Sequence, residues 1–572
     1  MLTQPKLRRL AAALALILFP SVPSAAAVAS TVSFANSRQV QLTEVSLPAA
    51  GGPPEIHCYR RVAGIPEITP RSVSVDRAGA SATISFDTEE TGFCAAYAFV
   101  NPSATGRSVT VKDFGAVGDG AADDYDAMRR AAEYICSHGG TLVYPPGDYR
   151  IDRYILGGGP AKNQTGNIEY RGCKSVAILG FGATIDIKGD FNRGADYRAG
   201  GYTYSYTNAV TPFDMIDATD FRIEGFEING NVDKMTRDPN VVESAAHGVR
   251  TSNCSRYILR KLHVHHCQTD GIYLGGSTAA ADRDAVVSEV VSTNNARQGL
   301  TVAQVRGGIV VDSVFRETGA TGGRYGYHAP AAGVDVEPNV SPPAVDLRTG
   351  EILFVRDHFE ENLGWQFVAD TGPESVMVMG CSVRATGSAA SGGRNGFAYL
   401  NAAATAVTEA SLFDITNGSV IYLHTLARDR YKDVRSVTYT RNAIQMSDAH
   451  SVTAWPGVPL NVRFLDNSVN VRAAAPDSSA ILLRFIAESS GNVFFFSGDG
   501  YAGGVNGQLA VSHQGTSMVR GNHYRTDVVP GNRYFFVDYR QVASVRGEIF
   551  ESGAGFRPGP NSTFDTSQPF SQ

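Results

Sequence analysis

Residues 109–149 read VTVKDFGAVGDGAADDYDAMRRAAEYICSHGGTLVYPPGDY. A strand, VTVKDF, runs into a Gly/Asp turn. A short helix follows, then a second strand that ends beside Pro-Pro-Gly. Asp123 or Asp124 is placed to cap the helix's first turn. Met128, Ala131, Ala132 and Ile135 recur at i, i+3, i+4 and i+7, which gives the helix one apolar face.

The order DFGAVGDG, Asp-Asp, helix, GGTLVYPPGDY resembles the N-terminal cap of the pectate-lyase-like parallel β-helices. That superfamily includes polygalacturonases, rhamnogalacturonases, pectin and alginate lyases, uronan epimerases and phage tailspikes. The resemblance implies an all-β right-handed parallel β-helix with an N-terminal capping helix. It also implies a polysaccharide partner, without fixing the reaction.

Downstream of the cap the phrase X-Gly-φ-x-φ recurs, φ being apolar. Its glycines are Gly248, Gly271, Gly299, Gly333, Gly364 and Gly396, spaced 23, 28, 34, 31 and 32 residues apart. Variable spacing suits a solenoid whose coils carry loops of different length. An earlier copy without the glycine is Phe213-Asp214-Met215. Phe221, Ile223, Phe226 and Ile228 match Tyr257, Leu259, Leu262 and Val264 at an offset of 36. Side chains alternate along a strand, so the φ residues point inward and the residue between them points out. The expected outward column is Asp214, Arg250, Tyr273, Thr301, Asp335, Gln366, Ala398.

Composition bounds the rest. The chain has 572 residues and a formal net charge of −6, which becomes −9 without Lys6, Arg8 and Arg9. No basic face for nucleic acid is expected. Residues 1–29 read as a secretory signal peptide: a positive start, an apolar core too short to span a bilayer, then small residues. No integral membrane segment is expected after its removal, and the product should be secreted or periplasmic. Residues 30–106 read as a small β-module, 107–530 as the β-helix and 531–572 as a C-terminal cap or tail. Seven cysteines in an exported chain suggest disulfides. Cys58–Cys94 is the first expected pair, with Cys136–Cys173 and Cys254–Cys267 as further pairs and Cys381 left over. Cys254 and Cys267 could instead face inward as small apolar residues. Oligomeric state is not readable.

Asp335 and Glu337 lie at i and i+2 on one expected strand face. Their separation suits an inverting glycosidase, in which one carboxyl protonates the leaving oxygen and the other activates water. Asp214 and Arg250 would be neighbours in the column, Arg250 meeting a sugar carboxylate, with Tyr273 stacking on a sugar or donating a proton. Arg297 and Gln366 complete the expected binding set. Gln268-Thr269-Asp270-Gly271 resembles the Asn-Thr-Asp-Gly of polygalacturonases, which implies an acid role for Asp270. Ala246-His247-Gly248 resembles their Gly-His-Gly. The order is reversed here and their Asp-Asp pair is missing, so that mechanism does not transfer intact. The leading expectation is hydrolysis of an acidic polysaccharide. The alternatives are β-elimination or C5 epimerisation of a uronate polymer, and a non-catalytic binding β-helix or adhesin.

His263 and His265 share a face, with His266 opposite. The local sequence supplies no converging ligand or supporting shell, so no metal is assigned to them. Calcium stays open, because Asp214, Asp335 and Glu337 are hard oxygen ligands. Three loops, 197–206, 229–246 and 319–328, are rich in Tyr, Gly or polar residues and are expected to wall a cleft.

Overall fold

The structure is a computed structural model. It describes residues 30–42, 55–60, 67–76, 81–97, 107–152, 167–188, 196–199, 202–205, 210–235, 246–277, 279–322, 326–338, 349–369, 373–387, 397–401, 403–416, 419–423, 436–447, 452–454, 462–472, 481–484, 486–497, 508–514, 516, 518–526, 535–540, 542, 544–550 and 556–558. The expected leader lies outside these residues. No helix among them is long and apolar enough to cross a membrane.

The opening stretch folds much as its pattern predicts, with two differences. The first is that Asp119–Asp123 of the expected Gly/Asp turn is a strand pairing with Gly147–Ile151. The second is in the first expected strand: only Ser108–Thr110 is strand, and Val111–Phe114 closes into a 3-10 turn. Thr110 and Asp113 form a reciprocal capping box there, which competes with the extended form. The helix spans Tyr125–His138 and buries Met128, Ala131, Ala132 and Ile135, the predicted face. Asp123 accepts from the Tyr125 N–H, while the Asp124 carboxylate turns back to the amides of Val117 and Gly118. The helix packs beside the first strands of the stack, Glu169–Arg171 and Gly140–Val143.

From there the chain is a right-handed parallel β-helix. Each coil contributes three strands to three parallel sheets. One coil runs Val249–Ser252, Ser255–Arg260, His263–His265, and the next Asp270–Leu274, Asp282–Ser288, Val291–Thr293. The predicted offset of 36 is the strand register: Phe221 faces Tyr257, Ile223 faces Leu259 and Ile228 faces Val264. Ladder pairing continues past residue 530, where Phe535–Arg540 pairs with Phe556–Pro558. Inside, like residues stack on successive coils. The Phe221 and Tyr257 rings are 5.0 Å apart and nearly parallel, as are Tyr524 and Phe550. That distance matches the strand spacing of about 4.8 Å, so rings stack without bending the coil.

From the coil containing Ser255–Arg260 onward, the corner between the second and third sheets is two residues long in every described coil. The first has positive φ: Lys261, Glu289, Asp312, Arg356, Gly380, Ala410, Arg441, Asp466, Gly491, Gly521 and Gly547. The second points inward. It is apolar at Leu262 and Val290 and then polar at Ser313, Asp357, Cys381, Ser411, Asn442, Asn467, Asn492, Asn522 and Glu548. A corner N–H has no ladder partner, and leaving it buried and unpaired would cost about 1–3 kcal/mol. From Val290 to Asn522 each one instead donates to the side chain one coil on. Val290 donates to Ser313, Ser313 to Asp357, Asp357 to Cys381, Cys381 to Ser411 and Ser411 to Asn442. Asn442 then donates to Asn467, Asn467 to Asn492, Asn492 to Asn522 and Asn522 to Glu548.

Burial pushes the carboxyl of Glu548 up to about 7, against hydrogen bonds from Tyr524 and Asn522 that oppose the rise. A raised carboxyl holds its proton in the folded chain at pH values where the unfolded chain has lost it. Stability should therefore fall as pH rises from the ordinary glutamate value of 4.5 to about 7 and level off above. Glu548→Gln keeps an acceptor for Asn522 and should flatten this dependence. Thermal melts of both proteins between pH 4 and 8 (roughly the titration window) check it, and parallel curves would refute it.

The cysteines resolve into two bridges, Cys58–Cys94 and Cys136–Cys173. The expected Cys254–Cys267 bridge does not form. Both are free buried thiols, as is Cys381. Cys254 instead points at the Met215 carbonyl on the preceding coil. The inward-facing alternative was the correct one.

Residues 30–97 hold a five-stranded antiparallel sheet. Its place follows from an outward column on the second sheet of the β-helix: Ile258, Val286, Ile309, Leu353 and Met377 pair in register. An apolar stripe on that outer face needs cover. Tyr59 and Phe93 supply it, and the Arg356 guanidinium sits 4.5 Å over the Tyr59 ring. Tyr59→Ala should cost about 2–4 kcal/mol of module docking. It should raise protease cleavage after residue 97 while the β-helix keeps its melting temperature. Unchanged proteolysis would show that the contact does not hold the module.

Candidate functional site

The outward column lies on the sheet that begins with Glu169–Arg171 and Phe213–Ile216. Asp214 pairs with Arg250, Arg250 with Tyr273, Tyr273 with Thr301 and Thr301 with Asp335. The repeat alignment is correct this far. Beyond it, Asp335 faces Val368 rather than Gln366. The register is two residues off because the corner before Phe367–Ala369 is longer than the glycine phrase implies. Gln366 is therefore no sugar-binding residue on this face. It is fully buried, and its amide bonds the Asn362 backbone N–H and carbonyl.

Two linked groups of side chains stand on the column. In the first, Asn167 donates to Asp214 Oδ2 at 2.6 Å, and Arg250 Nη1 lies 3.5 Å from the same oxygen. Asp214 Oδ1 is buried without a hydrogen-bond partner among the described residues. Burial raises the Asp214 carboxyl, and the Arg250 charge opposes the rise. A Cβ on Gly276 would come within 2.9 Å of Arg250 Nε, so glycine there leaves room for the guanidinium.

The second group centres on Asp270, whose Oδ2 accepts from Thr301 at 3.0 Å. It lies 3.4 Å from Arg297 Nη1 and 3.5 Å from His247 Nδ1. Arg297 also donates to Gln298, whose amide Nε2 donates to Asp335. The His247 and Tyr273 rings are 4.8 Å apart. Burial holds the His247 imidazole well below its ordinary value, and the Arg250 and Arg297 charges act in the same direction. His247 is thus neutral at physiological pH.

What solvent reaches differs from the sequence expectation. Asp335 was expected to be exposed beside Glu337. It is 2% exposed because Gln298, one coil earlier, covers it, while Glu337 is half-buried beyond the strand end. Asp214 and Asp270 are 1% and 0% exposed. Arg250, Arg297 and Tyr273 are the partly open groups, with the edge of His247 between them. Asp214 and Asp335 are four strands apart, about 19 Å, so they cannot share one calcium ion. Asn167, Gln298 and Thr301 complete the network. Thr301 was in the expected column, but neither Asn167 nor Gln298 carried a signal in the sequence.

Of the expected wall loops, the first contributes an antiparallel strand pair, Asp196–Ala199 with Tyr202–Ser205. Residues 236–245 and 323–325 lie outside the described residues. Tyr327 is exposed at the edge of the third loop.

The stacked parallel sheets define the fold as a parallel β-helix. No family model matches the chain. Mannuronan C5-epimerase AlgE3 of Azotobacter vinelandii is 28% identical over 127 residues, which is 22% of this chain and only 6% of that protein. Among solved structures, the Azotobacter vinelandii mannuronan C-5 epimerase AlgE4 A-module aligns at TM-score 0.38 and 13% identity. It covers 80% of this chain and 100% of its own. PfbA, a surface adhesin of Streptococcus pneumoniae, aligns at 0.40 and 12%, covering 77% and 93%. An exopolygalacturonase from Thermotoga maritima aligns at 0.34 and 12%, covering 78% and 91%. The three structural likenesses carry no argument about activity.

Proposed function

We propose that the protein is an exported enzyme that acts on a uronate-bearing polysaccharide by removing the proton at C5, the carbon next to the carboxylate. The observation that carries this reading is the layering of the site: two guanidiniums and a tyrosine are partly open, a neutral imidazole shows only an edge among them, and three carboxylates lie beneath. Hydrolysis by paired carboxyls needs two of them at the sugar. Proton abstraction needs a base and cations that neutralise the substrate carboxylate. Arg250 and Arg297 meet that carboxylate and hold the negative charge that develops on it. His247 accepts the C5 proton, and the C–H electron pair moves toward the carboxyl group. Asp270 faces Nδ1 and stabilises the imidazolium that forms. Tyr273 then delivers a proton. Delivered to O4 as that bond breaks, it completes β-elimination; delivered to C5 from the other face, it completes epimerisation. The two disulfides support export, and the local likeness to a mannuronan C5-epimerase points to the same chemistry.

The test is incubation with neutral and uronate polysaccharides in D2O. Unsaturated uronate absorbance means elimination, and deuterium at C5 without cleavage means epimerisation. New reducing ends with neither signal would overturn the reading and return the reaction to hydrolysis. Arg250→Ala should raise KM for uronate substrates by about 10-fold or more, the scale of one charge-assisted hydrogen bond. Neutral substrates should bind as before, and equal loss on both would refute the carboxylate role.

A further inference from the structure

A second cluster lies round the corner from this site, on the outer face of the third sheet. Glu227 pairs with His263 across one strand spacing, and His265 stands two residues on along the same strand. Among the described residues, these three form the group whose ligand atoms all lie within 4.8 Å of one another. His265 Nε2 is 3.1 Å from Glu227 Oε1, and the His263 and His265 rings are 4.5 Å apart. The sequence offered two histidines and no third ligand, because Glu227 is 36 residues away and only the coil stacking brings it alongside.

We propose that Glu227, His263 and His265 bind one divalent transition-metal ion of the zinc type, with its remaining coordination position open to water. Two imidazoles and a carboxylate are a borderline-soft donor set that suits zinc and its neighbours and does not suit calcium. The shell behind the ligands is present. His265 Nδ1 is 2.8 Å from His266 Nδ1, which leaves Nε2 as the ligating atom, and Thr184 Oγ1 lies 3.4 Å from Glu227 Oε2. Asp148 and Asp186, on the same face toward the N-terminus, add negative charge. Lys188, Arg150 and Arg316 border the patch and limit that field. A bound ion would clamp two successive coils.

The experiment is calorimetric titration of zinc chloride into the untagged, chelator-stripped full chain, with metal content measured after dialysis. One zinc per chain is expected, not displaced by excess calcium. His263→Ala and His265→Ala should each abolish stoichiometric binding. His266→Ala should weaken it about 10- to 100-fold, the usual effect of removing a supporting partner. His358→Ala serves as control, because His358 pairs with Glu360 on the same sheet and has no third ligand among the described residues. Melts in chelator should match for the parent and His263→Ala, whose side chain is exposed. No stoichiometric zinc in the parent chain, or equal binding by the His263→Ala/His265→Ala double variant, would overturn the proposal.

Discussion

His247→Ala should lower turnover on a uronate polymer by about 10²–10⁴-fold, the range for losing a general base, with KM changed far less. The fold should survive, since His247 precedes the strand Val249–Ser252 and its ring is set against Tyr273 and Asp270. The pH profile carries a sharper signature. The working form is the neutral imidazole, and burial together with Arg250 and Arg297 depresses its protonation. The acid limb of kcat/KM should therefore lie below 6.5, the ordinary histidine value, and activity should persist into mildly acid solution. Arg297→Gln removes one depressing charge and should move that limb upward. A limb at or above the ordinary value in the parent enzyme, or full activity in His247→Ala, would rule out His247 as the base. Glu337→Gln offers the converse check, and loss of activity there would favour carboxylate chemistry.

Asn467→Ala should cost about 3–5 kcal/mol locally. The Asn467 side chain accepts from the Asn442 N–H and side-chain amide, and it donates to the Tyr439 carbonyl and to Asn492. Truncation leaves a buried N–H and a buried carbonyl without partners, at about 1–3 kcal/mol each, and opens a small void. Coils in a solenoid contact mainly their neighbours, so the loss should be regional. Amide exchange should quicken for 436–497 while protection at 213–316 is kept. Asn467→Asp keeps the acceptor for the Asn442 N–H but loses the donor, and should fall between. Uniform exchange across the whole chain would show that the stack melts as one unit.

The parts of this molecule legible in the sequence were those set by periodic burial. The helix face at Met128, Ala131, Ala132 and Ile135, the 36-residue offset and the column from Asp214 to Asp335 all follow from which side chains must avoid water. The column slipped at Gln366 because a glycine phrase marks a corner only where the corner length is constant. Exposure was read less well than register. Asp335 points outward, as alternation requires, yet Gln298 from the preceding coil shields it, and no local pattern encodes that cover. The third ligand at Glu227 and the apolar stripe under Tyr59 escaped notice for the same reason: both depend on which residues become neighbours across coils. One missed signal was present. Arg441-Asn442, Asp466-Asn467 and Gly491-Asn492 recur at 25-residue intervals, each a left-handed residue followed by asparagine.

That two-residue corner makes the three edges of the prism mechanically unequal. One edge is riveted from Val290 to Glu548, and an extra residue there would throw a polar group out of its chain of bonds. The other two edges flank the sheet that carries His247 and Tyr273. There the connection is two residues between Ser252 and Ser255 but seven between Leu274 and Asp282, with both strands staying in ladder register. Chain length at those edges is decoupled from the pitch of the stack. The walls of the cleft can be raised, shortened or replaced without disturbing the scaffold, so selectivity for a particular polymer and the rigidity that aims the reactive groups are tuned by separate parts of the chain.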